Sequence, residues 1–140
     1  MGLSIRNRLA GTVTEITSGA VMGTVMIDVG GGQRITAAVT MDAVKDLGIS
    51  VGSAVDILIK STEVSLATGT VAGLSIRNRL PGTVSSLETG NAMTVAHIVL
   101  EGGGEITAAI TRAAATDLGL APGSTVTALI KSTEVALSAA

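Results

Sequence analysis

Arg6 and Arg77, Arg8 and Arg79, and Lys60 and Lys131 each stand 71 positions apart, so six of the nine cationic side chains fall into matched pairs. The eleven acids do not follow this pattern: only Asp46 with Asp117 and Glu63 with Glu134 are matched. The paired cations are embedded in Ser-Ile-Arg-Asn and Lys-Ser-Thr, segments whose hydroxyls and amides add hydrogen-bond donors beside the charge. Donors converging on one place suit an anion. For Arg6, Arg77, Lys60 and Lys131 the competing reading is a solvated charge at a rim, paired with Glu63 or Glu134. Arg8 and Arg79 fit a surface or interface ion pair equally well.

A third source of donors lies at Thr40 and Thr111. Each precedes a short helical pattern, and the first N–H groups of a helix have no partner within it. Thr40 with the backbone near Ala43, and Thr111 with the backbone near Ala114, would face an anion; the same hydroxyls would equally serve as simple helix caps. A small tetrahedral dianion fits such a donor set. An extended nucleotide needs a glycine-rich loop running from a strand into a helix, whereas Gly30-Gly31-Gly32 and Gly102-Gly103-Gly104 each lead into a strand.

The elements that must hold these groups are duplicated. Leu3-Ser4-Ile5-Arg6-Asn7-Arg8-Leu9 returns as Leu74 to Leu80, Ile35-Thr36-Ala37-Ala38 as Ile106 to Ala109, and Leu58-Ile59-Lys60-Ser61-Thr62-Glu63-Val64 as Leu129 to Val135, without a gap. Two modules are expected, 1–69 and 74–140, joined by a linker at 70–73. In the first, Val/Ile/Thr enrichment and partial alternation predict strands at 9–17, 21–29, 33–39, 54–60 and 62–67. Each glycine triplet predicts a hairpin turn. One helix interrupts the strands, capped by Thr40, running from Met41 to Leu47 and ended by Gly48; its copy runs from Arg112 to Leu118 after Thr111 and before Gly119. The fold class is all-β: two tandem OB-like five-stranded β-barrels, each with one short helix.

Composition narrows the function. The 140 residues contain no cysteine and no aromatic side chain, and the net charge is −2. These facts remove thiolate metal sites, cysteine nucleophiles, base-stacking platforms and a general phosphate-attracting field, so nucleic acid is not an expected partner. Mean hydropathy of +0.61 argues for a folded chain. No apolar run approaches a membrane span, and the opening Met1 to Arg6 carries no apolar signal-peptide core, so no membrane and a cytoplasmic location are expected. His97, the single histidine, replaces Met26 of the first copy and reads as a packing residue; the five methionines read as core fillers. Nothing groups a nucleophile with a base, or two carboxylates in both copies, so no enzyme, cofactor or direct cation site is expected. Asn7 and Asn78 are expected to fix a turn or interface through side-chain to backbone bonds. Modules this small and without aromatics should also bury surface against one another and against further copies.

Taken together, Ser-x-Arg-Asn-x-Leu-x-Gly, Ile-Thr-Ala-Ala-(Val/Ile)-Thr, Asp-Leu-Gly and Leu-Ile-Lys-Ser-Thr-Glu-Val make the sequence similar to the Mop, or molbindin, family over almost all of both repeats. The resemblance implies OB-like modules, a trimer, and oxyanions held at interfaces between modules. It further implies storage and buffering of molybdate or tungstate in the bacterial cytoplasm. Carried over by position, its oxyanion ligands would be Ser4, Arg6, Thr40, Ala43, Lys60 and Ser61 in the first repeat, and Ser75, Arg77, Thr111, Ala114, Lys131 and Ser132 in the second. Only backbone N–H contacts transfer at Ala43 and Ala114. A second kind of site on a three-fold axis would lie at Ser18-Gly19-Ala20 and Thr89-Gly90-Asn91. The alternative function is an anion-responsive regulatory module that binds a partner protein.

Overall fold

The computed structural model describes residues 2–140. The first repeat forms strands β1 (Asn7–Ser18), β2 (Met22–Gly30) and β3 (Gln33–Thr40), helix α1 (Met41–Leu47), strand β4 (Ala54–Ile59), a single 3₁₀ turn (Ser61–Glu63) and the short strand β5 (Ser65–Ala67). The second repeats the order with β6 (Asn78–Thr89), β7 (Met93–Leu100), β8 (Glu105–Thr111), α2 (Arg112–Asp117), β9 (Thr125–Ile130), a 3₁₀ turn (Ser132–Glu134) and β10 (Ala136–Ala139). The fifth strand of the first repeat begins at Ser65 rather than at 62. Glu63 N–H donates to the Lys60 carbonyl at 2.9 Å, which closes a turn where alternation suggested extended chain.

Thr40 caps α1 with its hydroxyl accepting from Ala43 N–H at 3.1 Å, and Gly48 ends the helix in the left-handed region at φ 63°. Thr111 does the same for α2 through Ala114 N–H at 3.1 Å. The second helix stops at Asp117, one residue short of the expected Leu118, which serves as its C-cap.

Ten strands make two curled five-stranded sheets, and the strands are exchanged between repeats. One sheet runs β10-β4-β1-β2-β3 and the other β5-β9-β6-β7-β8. Strand β10 of the second repeat pairs with β4 through Ala136–Leu58 and Leu137–Ile57, and β5 of the first pairs with β9 through Ser65–Leu129 and Leu66–Ala128. Each sheet therefore takes four strands from one repeat and one from the other.

Burial follows the alternation of the strands. Val25, Ile27, Ile35, Ala37, Ile57 and Ile59 of one repeat, with Ile98, Ile106, Ala108, Ala128 and Ile130 of the other, belong to one continuous apolar cluster. Branched aliphatic side chains fill it, as an aromatic-free sequence requires. A bulge at matched places in β1 and β6 breaks the register, and there Thr14 and Ser85 donate their hydroxyls to the carbonyls of Met26 and His97.

His97 departs from the packing role. Its side chain is 38% exposed, with Nε2 3.5 Å from a Glu88 carboxylate oxygen and Nδ1 3.4 Å from the Thr107 hydroxyl. The strand presents it on the outer face, where a polar ring keeps its contact with water.

Candidate functional site

The second repeat gathers four of its expected anion ligands. Ser75, Arg77, Lys131 and Ser132 line one cleft of about 260 Å³, with Ile76 and Thr133 completing the wall. The chain before β6 supplies the Ser-Ile-Arg edge. The 3₁₀ turn after β9 supplies the opposite edge, with Lys131 held in extended backbone at φ −66° as its N-cap.

Two features give this cleft its chemistry. First, Arg77 and Lys131 make no ion pair among the described residues; the arginine or lysine ion pair found there is Arg8–Asp56. Arg77 is braced by donating Nε to the Ser75 carbonyl at 3.3 Å and Nη2 to the Leu74 carbonyl at 3.4 Å, which leaves Nη1 uncommitted. Second, the Ser132 hydroxyl is buried with no hydrogen-bond partner, and so is the Ser61 hydroxyl at the matched position. A buried polar group without a partner costs about 1–3 kcal/mol, and native proteins tolerate few of them. Two cations and an unsatisfied hydroxyl around one cleft form a donor set lacking an acceptor.

In the first repeat, Arg6 is braced in the same way, with Nε donating to the Ser4 carbonyl at 3.1 Å and Nη2 to the Leu3 carbonyl at 2.9 Å. Lys60 lines a smaller cleft of about 130 Å³ beside Ile5, Glu63 and Glu134.

Strand exchange separates the helix caps from the rest of their own repeat's set. Thr111 and Ala114 line a cleft of about 370 Å³ with Thr62, Ser65 and Leu66 of the first repeat. Thr40 and Ala43 face Ala136 and Leu137 of the second across a largely apolar cleft. The Ala43 and Ala114 N–H groups already donate to their capping hydroxyls, while each Thr O–H keeps its own proton for another acceptor. The turns Ser18-Gly19-Ala20 and Thr89-Gly90-Asn91 are exposed and lead into exposed apolar residues at Val21, Met22 and Met93; the Val21 and Ala92 carbonyls accept from the first N–H of each helix, and Met93 lines the Thr111 cleft. Thr62, Ser65 and Thr133 were not singled out from the sequence; their neighbours follow from the exchange, which no motif announces.

Arg8 forms an ion pair with Asp56 at 2.9 Å. Arg79 has Thr127 where the first repeat has Asp56, and it donates to the carbonyls of Ile76 and Leu74 at 3.1 and 2.7 Å. No group of three or more His, Cys, Asp or Glu side chains able to hold a metal ion occurs among the described residues. No helix among them is long and apolar enough to cross a membrane.

Residues 3–66 and 74–137 each match the family described as the TOBE domain. The chain is 40% identical over 141 residues to the molybdenum-pterin-binding protein MopA of Rhodobacter capsulatus, covering 99% of this chain and 52% of that protein. It is 39% identical over 132 residues to the molybdenum transport protein ModE of Herbaspirillum seropedicae, covering 94% and 49%. It spans about half the length of these curated relatives. A solved structure of the cytoplasmic molybdate-binding protein ModG, in a form with molybdate bound, is 38% identical, covers 100% of both chains and superposes with a TM-score of 0.96.

Proposed function

This chain belongs to the TOBE-domain family, which it carries twice in tandem, and from that premise we propose that it binds molybdate and holds it without covalent chemistry. The observation that carries the reading is the cleft in which Arg77 and Lys131, neither engaged by a carboxylate, flank the buried and unpartnered Ser132 hydroxyl. A tetrahedral dianion supplies what this set lacks, acceptors in several directions and negative charge for two cations. The molybdate-binding description of ModG, matched over its whole length, supports the same ligand.

The finer reading is storage and buffering in the cytoplasm, with tungstate accepted alongside molybdate. The ligands are Ser4, Arg6, Lys60 and Ser61 with their second-repeat equivalents, and the Thr40 and Thr111 hydroxyls contribute where another module approaches. A trimer provides those approaches. The exposed Val21, Met22 and Met93 beside the two turns give such an assembly apolar surface to cover. Elemental analysis tests this reading: protein incubated with excess molybdate and passed through a desalting column should retain molybdenum in a fixed ratio to chain. Molybdenum at the level of a control protein overturns it.

A further inference from the structure

The two glycine hairpins meet at their tips. A Cβ placed on Gly31 would overlap the Gly102 carbonyl, and one placed on Gly102 would overlap the Gln33 side chain. This contact frames a cleft of about 470 Å³ whose polar lining is Gln33, Arg34, Arg79 and Glu101. None of these residues takes part in the anion cleft described above.

Comparing the copies shows that this combination exists once. At matched positions Gln33 faces Gly104, Arg34 faces Glu105, and Glu101 faces Gly30. Arg79 has a counterpart in Arg8, but Arg8 is engaged by Asp56 at 2.9 Å while Arg79 has Thr127 in place of that acid. The Arg79 guanidinium is anchored through Nε and Nη2 to backbone carbonyls, which fixes its plane and leaves Nη1 available. Gln33 donates Nε2 to the Gly103 carbonyl at 3.4 Å, while its Oε1 is buried with no partner. The cleft therefore offers two guanidinium groups without a carboxylate in ion-pair range and one carboxylate, with the unsatisfied Gln33 amide oxygen buried in its wall. A bare oxyanion answers only the guanidinium groups.

We infer that this cleft binds a hydroxylated organic phosphate of the size of a glycerol or sugar phosphate. Its phosphate would lie on Arg34 and Arg79, and its hydroxyls would donate to the Glu101 carboxylate and, once the Gln33 amide turns toward the cleft, to its unsatisfied Oε1. The volume is several times that of a tetrahedral oxyanion, and planar guanidinium groups are matched to phosphate oxygens. The inference does not rest on the molybdate reading, because the two clefts share no residue.

The experiment is a titration of ¹⁵N-labelled protein with glycerol 3-phosphate, with inorganic phosphate and glycerol as separate arms. Saturable shifts of the Gln33, Arg34 and Arg79 backbone amides are expected at millimolar glycerol 3-phosphate, with inorganic phosphate about tenfold weaker and glycerol inert. Arg34→Ala should weaken binding about tenfold while leaving the molybdate isotherm unchanged, and Arg79→Gln should weaken it at least as much. Because Arg79 also braces its own loop, the exposed Arg34 is the variant that keeps the test clean. Absence of saturable shifts, equal binding of inorganic phosphate, indifference to Arg34→Ala, or displacement of glycerol 3-phosphate by molybdate would each overturn the inference.

Discussion

The Asn7 side-chain amide pairs in both directions with the backbone of Thr107, donating Nδ2 to its carbonyl at 2.8 Å and accepting from its N–H at 2.7 Å. Asn78 repeats the arrangement on Thr36 at 2.9 and 2.8 Å. Both asparagines are buried, and each reaches the strand β8 or β3 at the outer end of the other repeat's run. A carboxamide is suited to the task because it carries one donor and one acceptor side by side, as the peptide it faces does. One residue on the β3 edge and one on the β8 edge are thus paired by the other repeat, and the exchanged strands tie the same two halves a second time.

Asn7→Ala should lower stability by about 1–3 kcal/mol for each of the two Thr107 backbone groups left unpaired. Asn7→Asp should be worse at neutral pH, since a carboxylate satisfies the N–H but sets a charge against the Thr107 carbonyl. Urea denaturation of both variants checks this. Wild-type stability in either would show that the clasp does not hold the repeats together.

The Ser61 and Ser132 hydroxyls separate folding from binding. Because neither has a protein partner, Ser61→Ala and Ser132→Ala should leave the denaturation midpoint unchanged or slightly raised. The same changes should weaken molybdate binding by about 0.5–1.5 kcal/mol, two- to roughly tenfold in affinity. Destabilisation without any loss of binding would assign these hydroxyls to the fold instead.

Selectivity follows from the donor character of the cleft. Lys131, Arg77 and Ser132 donate, and no carboxylate lines that cleft to take a proton from the ligand. Tungstate, of nearly the same size and charge as molybdate, should displace it at comparable concentration. Smaller sulfate leaves some donors out of reach. Partly protonated phosphate brings a donor among donors at a cost of about 1–3 kcal/mol. Competition at pH 7 checks the order, and equal displacement by sulfate would mean that size is not read.

Two glycines with positive φ should respond differently to alanine. Gly48 has φ 63° and open space around it, so Gly48→Ala should cost only the left-handed strain of about 1–2 kcal/mol. Gly31, at φ 60°, adds an overlap with the Gly102 carbonyl, so Gly31→Ala must part the hairpin tips as well. Thermal melts of the two variants should rank Gly31→Ala as the less stable; the reverse order would show that the tips do not bear on each other.

The strands, the helix caps and the glycine hairpins were legible because each rests on local chemistry: alternation for β2 and β3, a Thr three residues before an N–H it can accept, and left-handed glycines at the turns. The resemblance carried by the duplicated motifs is borne out by the two TOBE matches and by the ModG structure. The strand exchange was not legible. Both copies carry Leu-Ile-Lys-Ser-Thr-Glu-Val, and no local pattern in β5 selects Leu129, Ala128 and Thr127 of β9 over Leu58, Ile57 and Asp56 of β4. For the same reason no motif announced that the fold sets Thr111 beside Thr62 and Ser65 of the other repeat.

The most direct measurement is a calorimetric titration of molybdate into the wild type and into the Lys60→Ala, Lys131→Ala double variant, with circular dichroism to confirm that both are folded. A charge-assisted hydrogen bond contributes about 1.5–3 kcal/mol, so the wild type should saturate and the variant should bind about ten- to a hundredfold more weakly. Superimposable isotherms, or no saturation in the wild type, would contradict the assignment of an oxyanion to these clefts.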